Sequence, residues 1–287
     1  MLHVPVMLGE CLEYLDVRPD GIYLDSTAGL GGHTGAIAER LTTGLVIAND
    51  RDAESLELAR RNTVQWADRI RFHHGKFSEL PAALAAAGID RVDGLLADLG
   101  VSRYQLTEPE RGFSLMSDGP LDMRQNRSQD LTADEIVNFT AEKELADLIY
   151  RLGEERRSRR ISRAIVRARP IHSTQRLSRV IEAAVPRTTR IHPATQTFQA
   201  LRMAVNDEQG ELDRLLATAP DVVKSGGRIV VLSFMSLEDR KVKQSFQALA
   251  RAGRADILTK HVLRPSSEET RNNPPSRSAK LRAVEMK

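Results

Sequence analysis

A single cysteine, Cys11, stands among 287 residues, which excludes an internal disulfide and a thiolate zinc site. It falls in the helix-like Leu8-Gly9-Glu10-Cys11-Leu12-Glu13-Tyr14-Leu15, where a packing role is expected. No apolar run approaches the roughly 18 residues of a membrane span, and the N-terminus lacks the basic-then-apolar layout of a secretion signal. A cytoplasmic location is therefore expected, with no membrane partner and no metal site. Neither sign of charge dominates: 42 Lys and Arg face 39 Asp and Glu, a net of +3. What is present is 41% apolar content over a length that suits one large or two ordinary domains with a full core.

Coarse periodicity gives β/α alternation through the first hundred residues. Strands are expected at 22 to 26, 45 to 49, 70 to 73 and 92 to 98, and helical patterns fill 33 to 41, 52 to 63 and 78 to 87. Such spacing implies a parallel sheet with right-handed crossovers. From about 106 to 195 no strand is legible; helical segments follow near 132 to 138, 142 to 150, 154 to 169 and 173 to 185. The α/β rhythm resumes with a long helix at 195 to 223, a strand after Gly226-Gly227, a helix at 236 to 251 and strands at 256 to 262 and 279 to 285, with a polar loop from Pro265 to Arg277. An inserted all-helical domain at 106–195 thus interrupts a domain made of 1–105 and 196–287.

In Tyr23-Leu24-Asp25-Ser26-Thr27-Ala28-Gly29-Leu30-Gly31-Gly32-His33-Thr34 a short strand breaks into glycines and then enters a helix. This arrangement presents backbone N–H groups to a nucleotide-like ligand, and a glycine there lets the ligand approach the backbone. The next strand ends at Asp50, about 20 residues after Gly29, where a carboxylate can take both hydroxyls of a ribose. An adenosine derivative is the expected ligand. The G-x-G-x-x-G fingerprint is incomplete, because Thr34 stands where the third glycine belongs. The fourth strand ends at Asp98, placing a second carboxylate at a strand end of the kind that lines a ligand crevice.

Residues 151 to 190 hold twelve Arg, no Lys and only three Glu, a local charge of +9. Arg156, Arg160, Arg163 and Arg167 recur at spacings of 4, 3 and 4, opposite a stripe of Ile161, Ala164, Ile165 and Ala168. A run of arginine without interleaved acid points to RNA or DNA, since guanidinium groups suit phosphates and base faces.

These residues belong to a longer set of blocks that resembles the bacterial 16S rRNA (cytosine-N4)-methyltransferases, which use S-adenosylmethionine to methylate a decoding-centre cytosine. The blocks are His3-Val4-Pro5-Val6-Met7-Leu8, Gly31-Gly32-His33, Asp98-Leu99-Gly100-Val101-Ser102, Arg111-Gly112-Phe113-Ser114, Gly119-Pro120-Leu121-Asp122-Met123-Arg124 and Gly153-Glu154-Glu155-Arg156. They continue through His192-Pro193-Ala194-Thr195, Phe198-Gln199-Ala200-Leu201-Arg202, Val205-Asn206, Ser236-Leu237-Glu238-Asp239-Arg240 and Arg277-Ser278-Ala279-Lys280-Leu281-Arg282. The resemblance implies a class I, Rossmann-like methyltransferase sheet and a cofactor site of Gly31, Gly32 and His33, with Asp50 on the ribose, Phe77 near the adenine, and Asp98 and Gln105 beside the methionine portion. It also implies 16S rRNA, within the small ribosomal subunit, as partner. Read from the residues alone, Phe77 serves equally as a core aromatic, and His33 suits packing at a helix start.

Asp122, Arg124, Arg156, Arg160, Arg163 and Asn206 are the expected substrate contacts, although Asp122 also reads as a turn residue and Asn206 as a buried structural amide. No catalytic base is assigned. Carbon-5 methylation of cytosine usually runs through a cysteine adduct, which the place of Cys11 disfavours. The sequence departs from the family at Arg103-Tyr104, at Asp207-Glu208-Gln209 and at Met235, where the family's Ser-Phe-His-Ser-Leu block carries histidine. Methionine accepts no proton, and activity with Met235 is expected all the same. Two other readings remain, a non-catalytic RNA-binding relative and a nicotinamide-dependent oxidoreductase.

Overall fold

The computed structural model describes residues 5–185 and 191–287; His3, Val4, Arg187 and Arg190 of the motifs above lie outside them. In chain order the elements are α1 (Leu8–Leu15), β1 (Ile22–Asp25), α2 (Gly32–Arg40), β2 (Leu45–Asp50), α3 (Ala53–Asn62), β3 (Ile70–His74), α4 (Leu80–Ala86) and β4 (Val92–Asp98). Then come α5 (Arg103–Thr107), α6 (Ala133–Phe139), α7 (Glu142–Gly153), α8 (Ser158–Ala168), α9 (Thr174–Ala184) and α10 (Thr195–Val205). The chain finishes with α11 (Glu208–Val222), β5 (Val223–Ser233), α12 (Ser236–Arg251), β6 (Ala255–Ile257), α13 (Ser267–Asn272) and β7 (Lys280–Met286). Two compact units result, Met1–Gly100 with Gln209–Lys287, and Val101–Glu208.

In the first unit seven strands form one sheet in the order β3-β2-β1-β4-β5-β7-β6. β1 to β5 are parallel, and β7 runs antiparallel to both β5 and β6. This is the class I methyltransferase sheet that the resemblance implies. Strand side chains alternate between faces, so Tyr23, Val46, Ala48 and Leu96 join one core with α1 and α2, while Leu24, Ile47, Leu95 and Ala97 join another with α4, α11 and α12. The order reverses between β1 and β4, where open α/β sheets bind ligands at the carboxyl ends of their strands.

The second unit is helical; among its described residues the only β pairing is an isolated bridge from Pro120 to Ser173. Its core joins Leu145, Ile149, Ile161, Ile165, Leu177 and Ile181 to Phe198, Leu201 and Val205 of α10. That packing moves the expected boundaries: Val101 and α10 belong to the helical unit, not to the sheet unit. The long helix expected over 195 to 223 is two helices, broken where Asp207 takes a left-handed backbone (φ 46). The helix expected from 154 begins at Ser158, because Glu154 is left-handed (φ 53) and closes α7. Arg156 therefore precedes the helix. The strand expected at 256 to 262 is trimmed to β6, and the polar loop after Pro265 contains α13, capped by Ser266 Oγ, which accepts from Glu269 N at 3.0 Å.

Loop segments of the helical unit cross at van der Waals limits. A Cβ on Gly112 would lie 2.2 Å from the Pro120 carbonyl oxygen, and one on Gly119 would lie 2.0 Å from that of Pro109. Gly112→Ala and Gly119→Ala are each expected to destabilise the protein by about 1–3 kcal/mol, whereas Gly9→Ala, with nothing within 4 Å and a helical position, should be neutral or stabilising. Denaturant unfolding of the three variants checks this ordering.

Candidate functional site

The carboxyl ends of β1, β2 and β4 carry Asp25, Asp50 and Asp98. Asp25 is fully buried; it accepts from Thr34 Oγ1 at 2.6 Å and from Thr27 N at 3.1 Å. The residue that breaks the glycine fingerprint thus supplies a hydroxyl to a buried acid. Asp50 accepts from Gly29 N at 2.7 Å and from Asp52 N at 2.9 Å, so it pins the glycine turn to the second strand. One lone pair on each oxygen is left for a ligand. Burial pushes both carboxyls up to about 6. Asn49 ties the same edge together, donating to the carbonyls of Ser26 and Gly75 and accepting from His73 Nδ1 at 2.8 Å.

Asp98 is the anomaly. Its Oδ1 is buried and has no hydrogen-bond partner among the described residues, and its pKa is pushed up to about 8, first by burial and then by the charges of Asp25 and Glu238. Its Oδ2 lies 3.7 Å from His33 Nδ1. His33 is itself buried, with Nε2 facing the Val6 carbonyl at 3.2 Å. Since that carbonyl can only accept, Nε2 is the protonated nitrogen and, in the neutral ring, Nδ1 turns its lone pair to Asp98. Perturbed, incompletely satisfied carboxyls of this kind mark functional sites. A ligand that brings a cation or an N–H donor fits this edge.

Packing leaves no room for a side chain at the two glycines named from the sequence, and Gly31 is also left-handed (φ 86). A Cβ on Gly31 would lie 2.9 Å from Thr63 Cγ2, and one on Gly32 would lie 2.5 Å from Pro5 Cγ. Gly29 is the open one, left-handed (φ 51) with nothing nearer than 3.9 Å. Phe77 follows β3 and packs, partly buried, against the core that contains Leu80 and Leu84. The edge of the sheet unit thus gathers Gly31, Gly32, His33, Asp50 and Asp98; Gln105 belongs to the helical unit.

In that unit several expected contacts are structural joints. Gln105 is buried in a capping box: its Oε1 accepts from Ser102 N at 2.9 Å, and its own N donates to Ser102 Oγ at 3.3 Å. Asp122 accepts from Arg124 Nε at 2.8 Å and Nη2 at 3.0 Å, while Arg124 Nη1 donates to the Gln129 carbonyl. Burial raises the Asp122 pKa, but the Arg124 guanidinium outweighs it and holds the carboxyl below its usual value. Asn206 accepts from Gln125 N and donates to the carbonyls of Met123 and Arg202. Asp122 and Arg124 brace their own loop and Asn206 ties that loop to the end of α10, so each of these expected substrate contacts also has a structural partner. Sequence reading missed Arg111, which is buried and donates from Nη2 to the carbonyls of Arg124 and Gln125 at 3.0 Å; its place in the Arg111-Gly112-Phe113 block was the only signal. Arg156, Arg160 and Arg163 are exposed, and Arg163 meets Glu142 at 3.5 Å.

The pattern of the MraW methylase family matches residues 1–287. The chain is 65% identical over 286 residues to the ribosomal RNA small subunit methyltransferase H of Solibacter usitatus, with all of both chains covered. It is 50% identical to the protein of the same name from Acidobacterium capsulatum, over 99% of this chain and 98% of that one. The chain belongs to the MraW methylase family. Membership removes the nicotinamide reading, and the sheet agrees: an antiparallel β7 stands between β5 and β6, where the dinucleotide fold runs 3-2-1-4-5-6. Met235 precedes α12, and its backbone N–H, with that of Phe234, donates to Glu238 Oε2 at 3.1 Å. The same capping is open to any residue with a backbone N–H, histidine included.

Folding holds Asp98 neutral while the unfolded chain ionises above the ordinary value of 3.8, so the folded state loses stability as pH climbs from there to about 8. Asp98→Asn is therefore expected to raise the unfolding temperature at pH 8 and to leave it nearly unchanged at pH 4. Equal effects at both pH values would show that Asp98 is not held in its acid form.

Proposed function

We propose that this chain methylates the N4 amine of a decoding-centre cytosine in 16S rRNA, with S-adenosylmethionine as cofactor and the small ribosomal subunit, in the cytoplasm, as the setting. The observation that carries this reading is the end-to-end match, at 65% identity, to a protein named for methylation of small-subunit ribosomal RNA. S-adenosylmethionine supplies an electrophilic methyl group on a positively charged sulfur. The residues at the carboxyl edge fit such a ligand: the N-terminal turn of α2 offers backbone amides, Asp50 has lone pairs for ribose hydroxyls, and the unpartnered oxygen of Asp98 takes a donor from the cationic methionine portion. Gly31, Gly32 and His33 set the turn, and Phe77 borders the adenine.

The exocyclic amine of cytosine is a weak nucleophile because its lone pair is delocalised into the ring, so in-line positioning carries much of the rate. Cys11 supports an amine rather than a ring carbon as acceptor. The thiol is buried in α1 and its pKa is raised, first by burial and then by Asp98 and neighbouring acids, which withholds the thiolate that a covalent adduct needs.

Asp50→Ala is expected to weaken adenosylmethionine binding by about 1.5–3 kcal/mol, the scale of losing charge-assisted hydrogen bonds; unchanged affinity in a folded variant would remove Asp50 from the site. The function itself is tested by incubating the protein with labelled adenosylmethionine and small subunits that lack the modification, then mapping the product. Methyl on N4 of one decoding-centre cytosine is expected, with Met235→His changing turnover by less than about tenfold. A wild type that is inactive while Met235→His methylates would make the chain the non-catalytic RNA-binding relative.

A further inference from the structure

α8 carries four arginines and no acid in eleven residues. With about 100° per residue, Arg159, Arg163, Arg167 and Arg160 fall within an arc of about 100°, while Ser158, Ile161, Ser162 and Ile165 are buried on the other side. All four arginines are exposed. Only Arg163 meets an acid, Glu142; no side-chain partner holds the other three among the described residues. Like charges three and four residues apart destabilise a helix by about 0.2–0.5 kcal/mol per pair. A face kept merely for hydration gains nothing from that repulsion, whereas a polyanion relieves it.

A second feature stands at the same corner. Phe139, the last residue of α6, is 80% exposed although Ile136 and Val137 beside it are buried. The chain around it is fastened to α8 on both sides. Arg169, directly after α8, donates to the carbonyls of Val137 and Thr140, and the Glu142 carbonyl and carboxylate meet Ser162 and Arg163. An exposed aromatic on a segment hydrogen-bonded to an arginine-faced helix is a combination that suits unpaired nucleotides, with phosphates on the cations and a base on the ring.

We propose that the arginine face of α8 and Phe139 form an anchoring surface for a single-stranded segment of the substrate rRNA, with Arg159, Arg160, Arg163 and Arg167 on phosphates and Phe139 stacked on an unpaired base. The inference rests on the reading that RNA is the substrate. It adds a point of attachment for the substrate within the helical unit. The arginines give affinity without sequence preference, and the ring selects unpaired over paired RNA.

The test uses the full-length protein, a labelled single-stranded oligoribonucleotide and a fully paired RNA hairpin, with binding measured from low to high salt. Replacing all four arginines by Gln should flatten the slope of log affinity against log salt by about 3, and replacing them by Lys should largely restore it. Phe139→Ala should weaken the single strand about tenfold and leave the hairpin and the salt slope unchanged. Adenosylmethionine affinity, the check on folding, should not move in any variant. A wild-type slope in the Gln variant, or a Phe139→Ala effect that is nil or equal on both RNAs, overturns the anchor. If the wild type still methylates subunits, the methyltransferase reading survives that result; a wild type that neither methylates subunits nor binds either RNA overturns both.

Discussion

Three carboxyls stand at one edge of a sheet, Asp25 buried and Asp50 and Asp98 half-buried, and much of the local structure is arranged around holding them there. Desolvating a carboxyl without a partner is costly, and the sheet unit meets that cost unequally. Thr34 and Thr27 answer Asp25, and backbone N–H groups of Gly29 and Asp52 answer Asp50. Asp98 keeps one oxygen with no partner among the described residues and is held in its acid form near neutrality. Stability is given up at that one point, and it lies at the strand end where the sheet order reverses.

The helical unit solves a different problem. Its loops carry arginine, aspartate, glutamine and asparagine side chains inside, yet Arg111, the Asp122–Arg124 pair and Asn206 bind backbone groups of the same unit and leave little for a ligand. The interior is fastened by polar joints, and the chemistry left over is on the surface, where the arginines of α8 stand. A rigid scaffold with a cationic face suits recognition of RNA by shape and charge.

Much of this was legible in the sequence because it follows from periodicity. Alternating apolar runs located every strand of the sheet, and a glycine turn followed by Asp50 located its carboxyl edge. What was missed depends on partners distant in the chain. Thr34 reads as a failed glycine until Asp25 is seen against it, and Asn206 reads equally as a substrate contact or a structural amide until Met123 and Gln125 are placed beside it. The break at Asp207 was hidden because a single left-handed residue leaves the apolar pattern on both sides intact. At Gly31 the turn takes the left-handed backbone that glycine favours (φ 86), while the packing of Thr63 and Pro5 against Gly31 and Gly32 has no local sign in the sequence. No local pattern marks the unsatisfied oxygen of Asp98, since burial is a property of the folded sheet.

Proton release on binding tests whether a cationic cofactor converts Asp98 from its acid form to a carboxylate. Calorimetric titration of the protein with adenosylmethionine at pH 7, repeated in buffers of different ionisation enthalpy, counts the protons exchanged on binding. Release of close to one proton is expected from the wild type and none from Asp98→Asn. Binding without proton release in the wild type would contradict the claim that this carboxyl waits, protonated, for the cofactor's charge.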